Sequence, residues 1–184
     1  MLDSALPDGP PVSRVLFIVA HPDDIDFGSA GTIATWTAAG VEVVYCLVTS
    51  GDAGGRDLTQ SFEDRAAVRE AEQTEAAKQV GVTDLRFLRF ADGRVVYDLE
   101  LRMAITRVIR QVQPDRVVTM SSERNYDRIY ASHPDHLAVG AAAIAAVYPD
   151  ARNPFAFPEL LAEEGLEPWT VPEVWIPGGP DVPE

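Results

Sequence analysis

The stretch VLFIVAHPDD, residues 15–24, places six apolar residues directly before a histidine, a proline and two aspartates. An unbroken apolar run of this length predicts a strand that is covered on both faces, as strands of a parallel sheet are. Pro22 then favours a junction with a helix, because the N–H that proline lacks needs no partner in the first turn of a helix. A buried strand that leads into a helix is the first half of a βαβ unit, so this stretch points to an α/β fold.

The remainder of the chain repeats the same alternation of apolar runs and amphipathic stretches. Further strands are predicted over residues 41–48, 85–90, 116–120 and 174–176, and helices over 29–39, 62–80, 99–112 and 133–147. Strands that alternate with helices imply parallel strands joined by right-handed crossovers. We therefore predict an α/β fold, a Rossmann-like three-layer αβα sandwich with a mainly parallel sheet, whose ligands bind at the carboxyl ends of the strands.

Length and charge limit the domain organisation and the partners. The chain has 184 residues, with 15 Lys and Arg against 29 Asp and Glu, for a formal net charge of −14. This length favours one domain, and the acidity argues against nucleic acid and anionic membrane surfaces, because both need a basic face. We predict an N-terminal extension over residues 1–13, a Rossmann-like domain over 14–149, and a Pro-rich acidic segment over 150–184 that packs on the same domain.

The single cysteine and the apolar runs bear on the cellular compartment. Cys46 lies within the apolar run 43–48, which predicts a buried structural thiol, and one cysteine excludes an intrachain disulfide. No run of 18 apolar residues occurs, and residues 1–11 lack a basic segment followed by an apolar one. These features predict a cytoplasmic protein with no membrane insertion and no signal peptide. These features are compatible with a homo-oligomer.

All three histidines of the chain lie in two similar junctions, HPDD at residues 21–24 and HPDH at 133–136. Residues three apart face the same point from one helical turn. Two imidazoles, one carboxylate and a water form a common catalytic zinc set. The spacing predicts a metal site made of His21, Asp24 and one of the two later histidines, with Asp23 free to act as a base. The alternative, surface histidines beside helix-capping aspartates, is weakened because two such junctions hold every histidine.

Three motifs in order resemble those of the PIG-L/LmbE-like zinc-dependent de-N-acetylase family: AHPDD at residues 20–24, TSGDAG at 49–54 and HPDH at 133–136. The resemblance runs from Arg14 to Trp175. It implies a hydrolase of the N-acetylglucosaminyl deacetylase type, which removes an acetyl group by means of metal-activated water. The implied partner is a small-molecule N-acetylated amino sugar or its conjugate.

The same resemblance implies a role for each residue of the two histidine junctions. Asp23 resembles the general base, and His133 resembles the residue that stabilises the oxyanion or protonates the departing amine. Asp135 is expected to orient His133 and keep it protonated, unless it only caps the helix. The implied cofactor is Zn²⁺, with another divalent transition metal as the alternative. Its three implied ligands are His21, Asp24 and His136.

Three further residues are candidates for substrate binding. Arg69 has the helical position at which related deacetylases place a substrate-binding arginine, and the alternative is an exposed helix charge paired with Glu72 or Gln73. Asp92 follows the third predicted strand and matches a sugar-hydroxyl contact of the family, although aspartate before glycine is also a turn signal. Tyr130 lies in a loop where some relatives carry a mobile tyrosine.

The sequence leaves other functions open. An amidase that cleaves a larger amide, such as a mycothiol S-conjugate, is the alternative among enzymes, and an open groove behind the acyl carbon would favour it. A non-catalytic metal-binding protein is a second alternative, but metal retention requires neither Asp23 nor His133. A dinucleotide-binding module is disfavoured, because residues 28–31 lack the three-glycine spacing and residues 21–24 would place carboxylates against phosphate.

Two features depart from the family pattern. Asp26 stands where many relatives carry Glu two places after the ligand Asp24, which changes the reach of that carboxylate. The chain also ends soon after Trp175, whereas family members usually continue through further strands and helices. We expect either a truncated chain or a domain that residues 150–184 complete in a different way.

Overall fold

The structure is a computed structural model that describes residues 11–177. Its strands are β1 Arg14–Val19, β2 Glu42–Thr49, β3 Asp84–Phe90, β4 Arg116–Thr119 and β5 Glu173–Trp175. Its helices are α1 Asp26–Ala38, α2 Phe62–Gln79, α3 Leu99–Val112, α4 Pro134–Ala145 and α5 Pro158–Ala162. Each predicted strand and helix is confirmed, with ends that shift by a few residues at most. The pattern does not predict α5, a single short helix that begins at a proline, where the missing N–H has no cost.

The five strands form one parallel sheet in the order β3-β2-β1-β4-β5. β1 lies at its centre, and Leu16 pairs with Val44 of β2 on one side and with Val117 of β4 on the other. An all-parallel sheet needs cover on both faces, which is why β1 and β2 are continuous apolar runs. The predicted α/β class with a parallel sheet is therefore confirmed.

Side chains of β1 alternate between two buried clusters, one on each face of the sheet. Leu16 and Ile18 belong to the cluster that α3 and α4 cover. Phe17 and Val19 belong to the cluster that α1 and α2 cover, so the sheet is the middle of three layers. Cys46 of β2 is fully buried, and burial raises the pKa of its thiol to about 12, as expected of a structural residue.

The chain after α4 returns to the same sheet. Arg110 of α3 is almost fully buried, and its guanidinium donates to four backbone carbonyls within residues 150–156. The guanidinium of Arg116 lies 3.8 Å from the ring centroid of Trp175 and pairs with Glu173. These contacts hold β5 at the edge of the sheet beside β4.

The predicted division into an extension, a Rossmann-like domain and a C-terminal segment stays a prediction. Residues 1–10 and 178–184, which hold most of the predicted extension and the end of the acidic segment, lie outside the described residues. Across residues 11–177, no helix combines the length and the apolar character needed to cross a membrane. The cytoplasmic location and the homo-oligomer also stay predictions.

A crevice forms between the carboxyl ends of β1 and β4, because the order of the strands reverses between them. His21 follows β1 closely and Met120 follows β4 directly. Gly140 lets α4 approach this end of the sheet, since a Cβ at residue 140 would lie 2.5 Å from the carbonyl oxygen of Met120. The fold therefore places both histidine junctions at one crevice.

Candidate active site

The segment between β1 and α1 is a tight turn that carries the first histidine junction. Oδ2 of Asp24 accepts a hydrogen bond from the backbone N–H of His21 at 2.8 Å, and the carbonyl of Asp23 accepts one from the N–H of Asp26 at 3.0 Å. Asp23 has a φ of 81°, in the left-handed region that favours glycine. A non-glycine residue held in that region costs about 1–3 kcal/mol, and such strain is concentrated at functional sites.

The second histidine junction opens α4. His133 is the N-cap residue, Pro134 is the first helical residue, and Nδ1 of His133 accepts a hydrogen bond from the N–H of Asp135 at 3.2 Å. His136 follows in the first turn. The rings of His21, His133 and His136 have centroids 4.9, 5.2 and 5.4 Å apart, so the two junctions meet.

Donor atoms of three residues converge within this cluster. Nδ1 of His21 lies 3.2 Å from Nε2 of His136 and 3.5 Å from Oδ2 of Asp24. Nε2 of His136 lies 3.1 Å from Oδ1 of Asp24. A tetrahedral zinc ion with bonds of about 2.0–2.2 Å separates its donor atoms by about 3.3–3.6 Å. The donor set, defined as His21, Asp24 and His136, thus brings together nitrogen and oxygen donors that zinc accepts, at separations of 3.1–3.5 Å that are close to those of a tetrahedral site.

The other ring nitrogen of His21 is held by two carboxylates. Nε2 lies 3.1 Å from Oδ2 of Asp135 and 3.1 Å from Oδ1 of Asp92. Asp135 is fully buried and also accepts hydrogen bonds from the backbone N–H groups of Gly93 and Val95. A proton on Nε2 satisfies these carboxylates and leaves the lone pair of Nδ1 directed at the rest of the donor set.

The expectation that the Asp135 carboxylate orients His133 is wrong. That carboxylate contacts His21, and Asp135 reaches His133 through its backbone N–H. Because Nδ1 of His133 accepts this N–H, the neutral ring carries its proton on Nε2. The Asp135 carboxylate therefore orients His21. The Asp135 side chain does not cap α4, since the capping side chain is that of His133.

Hydrogen bonds within the cluster keep Asp24 ionised. Burial raises the pKa of the Asp24 carboxyl, but hydrogen bonds from His136 and His21 outweigh it and hold the pKa well below its ordinary value. Burial lowers the pKa of His21, and the carboxylates of Asp24 and Asp135 more than offset it, so the pKa lies above its ordinary value. If a metal cation replaced the protons shared by His21, Asp24 and His136, its ligands would be one carboxylate and two imidazole nitrogens.

Asp23 lies beside the donor set and is held by two residues of α2. Its backbone N–H donates to Oε1 of Gln73 at 2.6 Å, and Gln73 is only 2 % exposed. Nη2 of Arg69 donates to Oδ2 of Asp23 at 3.2 Å and to the carbonyl of Pro22 at 2.9 Å. Burial raises the pKa of the Asp23 carboxyl, and Arg69 offsets part of that rise. Asp23 is therefore a stronger base than an ordinary aspartate.

Arg69 packs against the site, and the alternative of an exposed charge paired with Glu72 or Gln73 is wrong. Its side chain is 22 % exposed, and Nη1 donates to the carbonyl of Gly51 at 3.1 Å. Gly51 has a φ of 65°, and a Cβ there would lie 2.0 Å from Nη1 of Arg69. The motif at residues 49–54 thus contributes a glycine that lets the guanidinium cross the loop after β2.

A pocket of about 270 Å³ opens at the donor set, and we name it the histidine pocket. Its lining residues are His21, Asp23, Arg69, Asp92, Tyr130, His133 and His136. The three candidates for substrate binding therefore lie in the same pocket as two of the metal donors. Tyr130 is 73 % exposed, and its hydroxyl accepts a hydrogen bond from Nε of Arg128 at 3.0 Å.

A second pocket, of about 340 Å³, lies between the ends of β1 and β4, and we name it the β1–β4 pocket. Asp24 and His136 of the donor set line it. Apolar side chains of both strands and of the turn before α1 form much of its wall, namely Phe17, Val19, Ile25, Val118 and Met120.

Gln73 is a residue of the site that sequence reasoning missed. It lies four residues after Arg69, so both side chains project from one face of α2. That spacing from a candidate arginine is the signal that could have identified it. A glutamine in a helix rich in Ala and Glu is otherwise typical of a solvated surface.

Known proteins resemble this chain in sequence and in fold. A family model described as GlcNAc-PI de-N-acetylase, PIG-L, matches residues 16–147. Diacetylchitobiose deacetylase of Thermococcus kodakarensis is 35 % identical over 163 residues, which cover 89 % of this chain and 59 % of that protein. The 1D-myo-inositol 2-acetamido-2-deoxy-alpha-D-glucopyranoside deacetylase of Rhodococcus jostii is 31 % identical over 192 residues, with coverage of 87 % and 62 %.

A solved structure of a deacetylase also resembles this chain in fold and sequence. N,N'-diacetylchitobiose deacetylase from Pyrococcus horikoshii, in complex with its inhibitor MPG, aligns with a TM-score of 0.80 at 34 % identity, over 86 % of this chain and 57 % of that one. This chain thus spans between 57 % and 62 % of the length of these relatives. The family match over residues 16–147 includes both histidine junctions and the motif at residues 49–54.

Proposed function

The chain belongs to the PIG-L family of GlcNAc-PI de-N-acetylases, and we propose that it is a zinc-dependent hydrolase that removes the acetyl group from an N-acetylglucosamine-type substrate. One observation carries the proposal: the donor set, whose atoms suit zinc, lies beside two further groups that the reaction needs. These are the carboxylate of Asp23, whose pKa is raised, and a ring N–H of His133. The names of two relatives support the proposal. One relative is a diacetylchitobiose deacetylase, and the other is a deacetylase of an inositol-linked 2-acetamido sugar.

The donor set of His21, Asp24 and His136 is proposed to hold the metal. Contact between His136 and Asp24 favours His136 over His133 as the third ligand. Three protein ligands leave a coordination position open, as catalytic zinc sites require. When bound, zinc lowers the pKa of water toward about 7 and polarises the acetyl carbonyl. Another divalent transition metal that accepts nitrogen and oxygen donors would fit the same set.

Asp23 is proposed as the general base. Its carboxylate takes a proton from the attacking water as the water oxygen bonds to the acetyl carbon. The same carboxylic acid then gives that proton to the amine nitrogen as the C–N bond breaks, which releases acetate and the free amine. The raised pKa suits this exchange, because Asp23 must hold the proton between the two steps. Gln73 and Arg69 fix its position.

His133 is proposed to stabilise the carbonyl oxygen as it gains negative charge. Its Nδ1 accepts the N–H of Asp135, which leaves the proton on Nε2 available as a donor. Loss of one such donor in other hydrolases reduces kcat by about 10²–10³. Of the two roles that the family resemblance implies for His133, this contact favours oxyanion stabilisation over protonation of the amine.

The sugar is proposed to bind between Arg69, Asp92 and Tyr130. Arg69 offers guanidinium donors, and Asp92 offers carboxylate acceptors, to the hydroxyl groups of a sugar. Both side chains are anchored, Arg69 by two backbone carbonyls and Asp92 by the N–H of Ala53 at 3.0 Å. Tyr130 is exposed and can adjust to the substrate.

Neither alternative function accounts for these contacts as well. A protein that only retains metal does not need Asp23 held by a buried glutamine and an arginine. An amidase of a larger amide such as a mycothiol S-conjugate has less support, because the named relatives are deacetylases.

Acetate release tests the proposal. The zinc-loaded protein is offered N-acetylglucosamine, N,N'-diacetylchitobiose, and phosphorylated, nucleotide-linked and inositol-linked N-acetylglucosamine. We expect stoichiometric acetate and free amine from at least one of them, and loss of that activity in the Asp23→Asn variant. Equal rates for the wild type and the Asp23→Asn variant, or no release from any of these sugars, would overturn the proposal.

A further inference from the structure

Asp26 is the first residue of α1 and has no role in the reaction as proposed so far. It is half-buried, and Oδ1 of Asp26 accepts a hydrogen bond from Nε2 of Gln73 at 3.4 Å. Gln73 is the buried residue of α2 whose Oε1 accepts the backbone N–H of Asp23. The two ends of one amide therefore join the start of α1 to the proposed general base.

Three hydrogen bonds among Asp23, Gln73 and Asp26 form a closed ring, which we name the Asp23 clamp. The N–H of Asp23 donates to Gln73 at 2.6 Å, and Gln73 donates in turn to Asp26. The N–H of Asp26 closes the ring, since it donates to the carbonyl of Asp23 at 3.0 Å. The clamp thus engages both backbone polar groups of Asp23, a residue whose φ of 81° is intrinsically unfavourable.

The two partners of the Gln73 amide fix its orientation. A backbone N–H can only donate a hydrogen bond, and an ionised carboxylate can only accept one. The amide oxygen therefore faces Asp23, and the amide NH₂ group faces Asp26. Rotation of the amide by half a turn would place donor against donor and acceptor against acceptor. Because Gln73 is only 2 % exposed, water has little access to replace either partner.

We propose that Asp26 is a positioning residue for the reaction: its carboxylate holds the amide of Gln73, and the amide holds the backbone of Asp23 beside the donor set. This inference rests on the proposed function, in which Asp23 is the general base. Arg69 contacts the carboxylate of Asp23, so the side chain and the backbone of the base are held by different residues. In this role Asp26 acts on kcat through geometry and does not contact the reacting atoms.

A second effect of Asp26 must be separated from this role. Asp26 is an acidic residue in the first turn of α1, where a negative charge stabilises a helix. Glu100 has the corresponding place in the first turn of α3, is exposed, and lines neither pocket at the donor set. Glu100→Ala therefore removes a charge of the same kind and leaves the Asp23 clamp intact, which makes it the matched control.

Steady-state kinetics of the zinc-loaded protein test the proposal. We expect Asp26→Ala to lower kcat about tenfold, with KM and zinc content near those of the wild type, because the base is displaced. Glu100→Ala should keep the wild-type kcat. Asp26→Asn retains an oxygen that accepts from Gln73, so its kcat should stay within about threefold of the wild type. Full kcat in Asp26→Ala, or an equal loss in Asp26→Asn and Asp26→Ala, would overturn the proposal.

A double-mutant cycle tests whether Asp26 acts through Gln73. If it does, Asp26→Ala should change kcat by less than about twofold in a protein that already carries Gln73→Leu, because the connecting amide is gone. Losses of kcat that multiply in the double variant would contradict a role through Gln73.

Amide hydrogen exchange, followed by nuclear magnetic resonance, gives a readout that does not depend on turnover. The N–H of Asp23 should exchange about fivefold faster in Asp26→Ala than in the wild type. The N–H of Ser29, which donates to the carbonyl of Ile25 at 2.9 Å, should keep its rate because the start of α1 stays folded.

The exchange rates separate the inference from the proposed function. If no N-acetylated sugar is cleaved but the N–H of Asp23 alone exchanges faster in Asp26→Ala, the proposed function fails and the Asp23 clamp stands. If the exchange of Asp23 is unchanged, or if Asp23 and Ser29 accelerate together, Asp26 does not hold Asp23 and the inference fails.

Discussion

Gln73 is buried in α2 and accepts the backbone N–H of Asp23 at 2.6 Å, across the gap between the second helix and the turn after β1. Asp23 has a left-handed φ, so its position depends on contacts of this kind. We expect Gln73→Leu to lower kcat by about 10- to 100-fold, because displacement of a catalytic group by about 1 Å has an effect of this size. Zinc content should stay at the wild-type value.

A second glutamine of α2 provides the control for this variant. Gln79 ends the same helix and is exposed, so Gln79→Leu makes the same chemical change away from the site. Its kcat should equal that of the wild type. If Gln73→Leu retains full kcat, or if it loses zinc and activity in equal proportion, Gln73 does not position Asp23.

Asp135 is predicted to act on metal affinity through His21. Its carboxylate holds Nε2 of His21 at 3.1 Å, and carboxylates in this position raise metal affinity by about 10- to 100-fold. Asp135→Asn should therefore weaken zinc binding by about tenfold or more in competition with a chelator. Unchanged zinc affinity with reduced kcat would instead support a role for the Asp135 side chain at His133.

Asp23 and His136 are predicted to differ in their effects on metal content. Asp23→Ala should retain zinc and lose most turnover, because Asp23 moves a proton and is not a ligand. His136→Ala should lose zinc, because it removes one of three donors. Elemental analysis after dialysis measures both variants. Loss of zinc from Asp23→Ala, or full zinc content in His136→Ala, would show that these roles are assigned incorrectly.

Asp115 is predicted to make stability depend on pH. Oδ2 of Asp115 accepts hydrogen bonds from the N–H and hydroxyl of Ser13 and from the N–H of Arg14. Burial raises the pKa of Asp115, and these hydrogen bonds outweigh it, so the folded pKa lies below its ordinary value. The stabilisation is therefore present above the unfolded pKa of about 3.9 and is lost as pH falls through the folded pKa.

Urea unfolding of the Asp115→Asn variant tests the direction of this pH dependence. The variant should lose about 1 kcal/mol of unfolding free energy at pH 6, where the wild-type carboxylate is ionised, and clearly less at pH 3. Asp127→Asn alters an exposed aspartate for which the described residues provide no side-chain hydrogen bond or ion pair, so it should have little effect at either pH. A loss for Asp115→Asn that is the same at both pH values would contradict the prediction.

Much of the fold could be predicted from the sequence because a parallel sheet leaves a strong pattern. Strands buried on both faces must be continuous apolar runs, as in residues 15–20 and 43–48, and the helices between them end at glycine or before proline. The convergence of the two histidine junctions could also be anticipated. Both follow predicted strands, and the carboxyl ends of parallel strands share one edge.

The contacts that refine the site could not be predicted, because they join residues distant in the chain. The Asp135 carboxylate accepts hydrogen bonds from the backbone of Gly93 and Val95, which precede α3 and β4 in the chain. Proximity in sequence suggested His133 as the partner of this carboxylate, and that prediction was wrong. Gln73 lies fifty residues after Asp23. The β1–β4 pocket arises where two strand ends meet the turn before α1, so no single stretch of sequence encodes it.

Zinc titration of acetate release tests the central claim most directly. Protein stripped of metal with a chelator is reloaded stepwise with Zn²⁺, and acetate from the best N-acetylated sugar is measured at each step. The proposed donor set of His21, Asp24 and His136 predicts no activity in the stripped protein and a linear rise to a plateau at one zinc per chain. Full acetate release by the stripped protein, or a wild-type response to zinc in His136→Ala, would contradict it.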